Sequence, residues 1–199
     1  MTTPNVERRL EFSVEVPGSP EQVWEAIATA RGISAWMMPT ELEEREGGAV
    51  AFHMGEETSE GHVTAWDPPN RLVYEEDWAT LASQDPATVT PLVSEFLVEA
   101  QAGGTCVVRV VSSAFGVGAD WEQEFFDDMA RGWVPMFEHL RLYLTHFAGQ
   151  QVTPMEVDAT VPGAAEEIAA AMRRALGIQS EGDTVDALGA KAIVERITG

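Results

Sequence analysis

The chain has 199 residues, of which 33 are Asp or Glu and 12 are Lys or Arg, and its formal net charge is −21. So negative a surface repels phosphate backbones and anionic headgroups, and we expect neither a nucleic acid nor a membrane as partner. Hydrophobic residues make up 45% of the chain, which predicts a globular protein. A single cysteine and the lack of an apolar run long enough to cross a bilayer predict a cytoplasmic protein without disulfides.

The first predicted element is a strand over Arg8–Val16, where apolar and polar residues alternate. A helix is predicted directly after it. Ser19 has the character of an N-cap, Pro20 suits the first helical position, and Gln22 completes a capping box with Ser19. A second short helix is predicted to end at Trp36.

A run of antiparallel strands is predicted next, because short turns such as Gly47-Gly48 and Gly103-Gly104 separate alternating segments. The stretch Ala79–Pro91 lacks a clear pattern and is interpreted as a loop. The six predicted strands are Thr40–Glu46, Ala49–Met54, Gly61–Asp67, Arg71–Trp78, Leu92–Gln101 and Thr105–Ser113.

A long amphipathic helix is predicted over Asp120–Ala148, where apolar residues recur at steps of three and four. Acidic residues crowd its first turns, where the helix dipole favours negative charge. Pro135 lies inside it and is expected to bend it near Arg131-Gly132.

Residues 155–178 resemble residues 10–33. Residues 10–18 align without a gap with residues 155–163, an offset of 145, and both segments end in Val-Pro-Gly. We therefore predict two parts: a domain over 1–149, and a partial repeat of its opening strand and helix over 150–199, with Ala192–Ile197 as a further strand. The partial copy cannot close a core alone. It is expected to pack on the first domain, to pair with another chain in a homodimer, or to be mobile; otherwise the chain is a fragment of a longer protein.

Three motifs carry a resemblance to a known family. They are the segment 20–27 (Pro-Glu-Gln-Val-Trp-Glu-Ala-Ile) followed by Trp36, the segment 61–72 with its Asp-Pro-Pro-Asn-Arg-Leu end, and Gly132-Trp133 with three apolar residues after it, Leu140, Tyr143 and Leu144. From Glu7 to Ala148 the chain resembles the SRPBCC (START-like) superfamily, and within it the branch named for activators of the heat-shock-protein-90 ATPase.

The resemblance implies an α+β helix-grip fold, in which an antiparallel, curved sheet of six or seven strands wraps around a long C-terminal helix. It also implies a cavity between sheet and helix, whose aromatic and Met walls suit an apolar guest. The candidate ligand-binding residues are Trp36, Phe52, Met54, Trp66, Tyr74, Trp78, Phe96, Val108, Met129, Trp133, Met136 and Phe137.

No set of residues predicts catalysis, a metal site or a cofactor. The histidines are interpreted as surface or structural residues, and Cys106 as a small buried hydrophobe. Arg109, Glu95 and Glu76 lie on neighbouring strands and form either an interior polar cluster or cross-strand surface pairs.

These observations favour a non-enzymatic protein that binds a small hydrophobic or aromatic molecule. Two alternatives remain open: a chaperone-associated stress-response interaction protein, and an enzyme of the polyketide cyclase or aromatase type. Members of the superfamily differ in function, and the fold does not choose among them.

Overall fold

The computed structural model describes residues 5–150, 152, 160–187 and 190–194. The chain divides into two compact units, Met1–Pro154 and Met155–Gly199. Each unit is described by itself below. Among the described helices, none is both long and apolar enough to span a membrane.

The first unit is built on one antiparallel sheet with the strand order β1-β7-β6-β5-β4-β3-β2. Strands that follow one another from β2 to β7 are neighbours in the sheet, and the opening strand β1 pairs with β7. The two edge strands are therefore β1 and β2. The predicted meander is therefore confirmed. The strands are β1 (Val6–Pro17), β2 (Thr40–Leu42), β3 (Ala49–Met54), β4 (Glu57–Asp67), β5 (Arg71–Glu76), β6 (Leu92–Gln101) and β7 (Thr105–Gly116).

Two helices follow β1: α1 (Pro20–Ala28) and α2 (Ala30–Trp36). The predicted capping box is present, since the Gln22 backbone N–H donates to the Ser19 hydroxyl and the Ser19 N–H donates to the Gln22 side chain. Thr29 links the two helices, because its hydroxyl accepts from the Gly32 N–H. The opening strand and both helices form where the sequence predicts them.

Several strand ends differ from the prediction. The segment predicted over Thr40–Glu46 leaves the sheet after Leu42, and the one predicted over Arg71–Trp78 ends at Glu76. Asp77 instead caps a short helix, α3 (Trp78–Leu81), by accepting from the Thr80 N–H. The stretch interpreted as a loop thus begins with this helix and contains a turn of 3-10 helix at Pro86–Thr88.

The long helix α4 spans Asp120–Leu142 and continues as a π-helical turn over Tyr143–Phe147. Pro135 lies inside α4 without ending it. Together these elements form the α+β helix-grip architecture that the resemblance implied.

Two hydrophobic clusters hold α4 to the sheet. The larger one joins α1 and α2 to the inward side chains of the sheet and to the second half of α4, including Phe137 and Leu140. The smaller one surrounds Trp78 and holds the first half of α4 through Phe126. Met129 packs against both clusters.

The start of α4 is fixed by a buried carboxylate. Glu122 is completely buried, and it accepts hydrogen bonds from the backbone N–H groups of Val117 (2.8 Å) and Gly118 (3.0 Å). The Arg8 guanidinium lies 3.5 Å from the same carboxylate. Glu122 therefore ties β1 and the β7–α4 connection to the first turn of the helix.

The second unit contains a helix, α5 (Ala165–Leu176), and a two-stranded antiparallel ribbon, β8 (Thr184–Ala187) with β9 (Ala190–Ile193). The helix begins 145 residues after α1. Gly163 precedes it with φ +135°, as Gly18 precedes α1 with φ +123°. The two helices thus begin in a similar way, and the repeat itself stays a prediction. The opening strand predicted over residues 155–163 lies largely outside the described residues.

Candidate ligand-binding site

An open cavity of about 350 Å³ lies between the concave side of the sheet and the middle of α4. Its volume is within the range of roughly 300–1,000 Å³ that is usual for small-molecule sites. Most of its lining is apolar, with methionine and aromatic side chains prominent. The lining residues are Met37, Met38, Phe52, Met54, Tyr74, Glu76, Trp78, Leu81, Leu92, Ser94, Phe125, Asp128, Met129, Gly132, Trp133 and Met136.

Strand and helix periodicity place these side chains on facing walls. Tyr74 on β5 pairs in register with Ser94 on β6, so both side chains project toward the helix. On α4 the lining residues follow steps of three and four from Phe125 to Met136, which puts them on one helix face. Gly132 lies at the centre of that face.

Seven of the twelve residues predicted for the site line this cavity: Phe52, Met54, Tyr74, Trp78, Met129, Trp133 and Met136. Five do not: Trp36, Trp66, Phe96, Val108 and Phe137. These five face the same interior, but they lie where helices pack directly against the sheet. Strand parity predicts which face a residue occupies, and it does not predict where along the sheet the helix moves away from it.

The five form the solid part of the interior. Trp66 packs edge-on against Trp24 at 5.2 Å between ring centroids, and Phe137 stacks on Trp133 at 5.3 Å. Phe96 lies 6.0 Å from Tyr74 and 5.9 Å from Trp133. Val108 is completely buried in the larger cluster. The Trp36 Nε1 donates to the Ala26 carbonyl at 2.9 Å, and Trp36 lines a different recess beside the end of α4.

Glu76 is the functional candidate that the sequence prediction of the site did not include. It lies at the end of β5 in the cavity wall, where the Ser59 hydroxyl donates to its Oε1 at 2.6 Å. Burial raises the pKa of Glu76 to about 7, and the Ser59 hydrogen bond only partly opposes that effect. The signal was the parity of β5, which puts Leu72, Tyr74 and Glu76 on one face.

The other polar side chains of the wall are uncharged, except for the largely exposed Asp128. Burial, followed by the charge of Glu76, raises the pKa of the Tyr74 phenol well above its ordinary value. The Ser94 and Ser112 hydroxyls lie 3.1 Å apart. The Nε1 of Trp133 is buried and has no hydrogen-bond partner among the described residues.

The interior polar cluster considered for Arg109, Glu95 and Glu76 does not form. Arg109 lies near Glu11 (3.5 Å) and Glu99 (3.7 Å), and Glu95 accepts from Arg71 at 2.6 Å. These are the partly exposed cross-strand pairs of the alternative interpretation. Only Glu76 faces inward. Glu95 pairs with Val73 on β5, and Val73 and Glu76 are an odd number of residues apart on that strand. Glu76 and Glu95 therefore lie on opposite faces of the sheet.

The histidines do not line the cavity. The Nε2 of His53 lies 3.4 Å from a carboxylate oxygen of Glu41, and the Nε2 of His62 lies 3.8 Å from one of Glu75. Both histidine side chains are partly exposed. In the part of the chain that the structure describes, no group of three or more His, Cys, Asp or Glu side chains is arranged to hold a metal ion. Cys106 is completely buried, as predicted.

The raised pKa of Glu76 predicts how stability depends on pH. Between its ordinary value of 4.5 and about 7, the folded chain keeps a proton that the unfolded chain has lost, so stability falls as pH rises through this interval. The upper limit of this loss is about 3.5 kcal/mol, because one pKa unit corresponds to about 1.4 kcal/mol. Glu76→Gln is expected to remove this loss and to raise the melting temperature at pH 8 while changing it little at pH 5.

The control for this prediction is Glu75→Gln, which removes the same charge from the neighbouring, outward-facing position. His62 and Asp77 line a second recess together with Glu76, so the His62→Gln chain is measured alongside. Thermal melts of the four chains from pH 5 to 8 check the prediction. An equal pH dependence in the Glu76→Gln chain and the unaltered chain would contradict it.

The fold and the cavity together define the class of protein. A seven-stranded antiparallel sheet that closes on a long C-terminal helix, with an apolar cavity between them, is the helix-grip architecture of the SRPBCC class. The family described as activator of Hsp90 ATPase homolog 1-like protein matches residues 17–145. The chain belongs to this family. A comparison with curated proteins found no match.

Solved structures share the fold at low sequence identity. A protein from Mesorhizobium loti is 22% identical, with a TM-score of 0.58, over 70% of this chain and 98% of that one. The Aha1 dimer from Colwellia psychrerythraea is 16% identical, with a TM-score of 0.55, over 71% of this chain and 99% of that one. CalU16 from Micromonospora echinospora is 16% identical, with a TM-score of 0.54, over 70% and 78%.

Proposed function

We propose that this protein binds a small hydrophobic or aromatic molecule, without transforming it, in the cavity between the sheet and α4. The observation that carries the proposal is the open volume itself. The larger cluster packs closely around Phe96 and Phe137, yet the face of α4 around Gly132 stands away from β3, β5 and β6. Protein interiors are otherwise close-packed, and a void of this size with an apolar wall leaves dispersion contacts unmade.

The composition of the wall favours an apolar guest. Tyr74, Phe125 and Trp133 supply aromatic area, and five methionines, Met37, Met38, Met54, Met129 and Met136, supply unbranched thioether side chains. Burying a ligand against this wall gains roughly 25 cal/mol for each Å² of apolar area removed from water. A neutral aromatic compound is therefore expected to bind by area rather than by directional bonds.

Filling the cavity from the helix is expected to abolish this binding. A Cβ at position 132 would have no heavy atom within 4 Å beyond its own helix backbone and chain neighbours, so Gly132→Leu adds its side chain to the open space. Gly in a helix interior costs about 1 kcal/mol relative to Ala, so the variant is expected to fold at least as stably as the unaltered chain. We expect at least tenfold weaker binding of the neutral fluorescent probe N-phenyl-1-naphthylamine.

Gly132→Ala is the matched control. It makes the same change of helix propensity and adds one carbon to the cavity, so probe affinity is expected to stay within about threefold, while stability rises by about 1 kcal/mol. Fluorescence titration and urea unfolding of the three chains give both quantities. Undiminished binding to Gly132→Leu would place the probe elsewhere and would overturn the proposed site.

Family membership favours a second candidate, an interaction with a chaperone ATPase, because the matching family is named for such activators. The net charge of −21 would direct this interaction toward a basic surface and make it weaken with salt. The measurement is the ATP turnover of an Hsp90 chaperone with and without the chain.

A homodimer through residues 150–199 remains a further proposal. Native mass spectrometry of the full chain measures its oligomeric state.

A further inference from the structure

The charges around the cavity are all of one sign. Two of the described residues that line the cavity, Glu76 and Asp128, have acidic side chains. None of the described lining residues is Lys, Arg or His. A cavity without a cation is a poor site for a carboxylate or phosphate ligand, because the anion would lose its hydration and gain no opposite charge. The ligand of this cavity is therefore not expected to be an anion.

The two acids differ in how they are compensated. Asp128 is largely exposed and forms an ion pair with Arg131 one turn along α4. Glu76 is partly buried, and none of the ion pairs found among the described residues involves it. Its Oε1 accepts from Ser59, and its carboxylate therefore retains acceptor capacity at Oε2.

We infer that the ligand of this cavity is an apolar amine, an aromatic or aliphatic molecule whose protonated nitrogen is bound by Glu76. This inference rests on the proposed function and specifies the chemical class of the guest. An ammonium group supplies both the donors and the positive charge that the carboxylate lacks, so each ion compensates the desolvation of the other.

The aromatic wall supports the same ligand class. Tyr74 precedes Glu76 by two residues on the same face of β5, and its ring lies 5.2 Å from that of Phe52. A cation over an aromatic face is attracted to the ring quadrupole, most strongly where water is excluded. The overall charge of the chain would also concentrate cations near its surface.

Three matched naphthalene compounds test the inference. They are 2-(aminomethyl)naphthalene, 2-(hydroxymethyl)naphthalene and 2-naphthoate, which share one ring system and are cationic, neutral and anionic at pH 8. Isothermal titration of the full chain is expected to show the amine binding at least tenfold more tightly than the alcohol, because a hydrogen bond to a charged group contributes about 1.5–3 kcal/mol. The naphthoate is expected to bind most weakly.

Two variants locate the charge. In Glu76→Gln the affinity for the amine is expected to fall to within about threefold of the affinity for the alcohol. The affinity for the alcohol itself is expected to change little. Asp127→Asn removes the same charge from an exposed position on α4 that does not line the cavity, and the preference for the amine is expected to persist.

The outcomes separate the two proposals. Equal binding of amine and alcohol to the unaltered chain would overturn the amine assignment and leave the apolar site standing. An amine preference that survives in Glu76→Gln but is lost in Asp128→Asn would also overturn it, because the charge would then act from the rim. Binding of none of the three compounds would overturn the proposed site as well.

Discussion

Trp78→Ala is expected to lower the free energy of unfolding by about 3–5 kcal/mol, the range for a large aromatic side chain removed from a core. The Trp78 side chain is completely buried, and its ring lies 4.8 Å from that of Trp121, 5.1 Å from Phe125 and 5.5 Å from Phe126. These rings attach the first half of α4 to the body of the molecule. Urea unfolding, followed by circular dichroism, measures the loss.

Two variants show whether the loss comes from packing. Trp78→Phe keeps most of the buried area but removes the Nε1 hydrogen bond to the Thr90 carbonyl (2.8 Å), so a smaller loss of about 1–2 kcal/mol is expected. Phe147→Ala removes an aromatic side chain that is half exposed, with an expected loss below about 1 kcal/mol. A similar loss in all three chains would mean that the Trp78 cluster does not hold α4.

Glu122→Ala is expected to destabilise the fold by about 3–5 kcal/mol, because it removes a completely buried carboxylate, leaves the partly buried Arg8 without its partner and leaves two backbone N–H groups without an acceptor. Those N–H groups belong to Val117 and Gly118. The exposed neighbour Glu124 gives the matched control: Glu124→Ala is expected to stay within about 0.5 kcal/mol of the unaltered chain.

A double-mutant cycle makes the second prediction specific. A Cβ on Gly116 would lie 2.3 Å from the Glu122 carboxylate, so Gly116→Ala is expected to displace that side chain and to destabilise the chain on its own. The two changes act on one contact, and their combined effect is therefore expected to be smaller than the sum. Additive losses would show that Glu122 does not occupy this place beside Gly116.

The order of the elements could be predicted from local signals because each signal has a local physical cause. The Ser19 capping box, the alternation along β6 and the helical period of α4 all depend on neighbours within a few residues. Strand ends were less predictable: Asp77 can continue a strand or cap a helix, and its choice depends on how Trp78 packs. Pattern alone does not contain that tertiary contact.

The candidate site was predictable only in part for a related reason. Residue type and parity predicted seven side chains that line the cavity, but the five predicted residues that do not line it are as apolar as those that do. Glu76 was first considered only with Arg109 and Glu95, since charged residues at strand ends are usually solvated. Its inward position follows from the alternation along β5, which puts Glu76 on the same face as Tyr74.

The methionines around the cavity have a consequence for selectivity. Thioether side chains are flexible and polarisable, and they repack around guests of different outline at little energetic cost. Discrimination by size is therefore expected to be weak, whereas the single inward carboxyl stays fixed on its strand and tethered to Ser59. The proposed site is therefore expected to accept many carbon skeletons and to select mainly by the position of one polar atom.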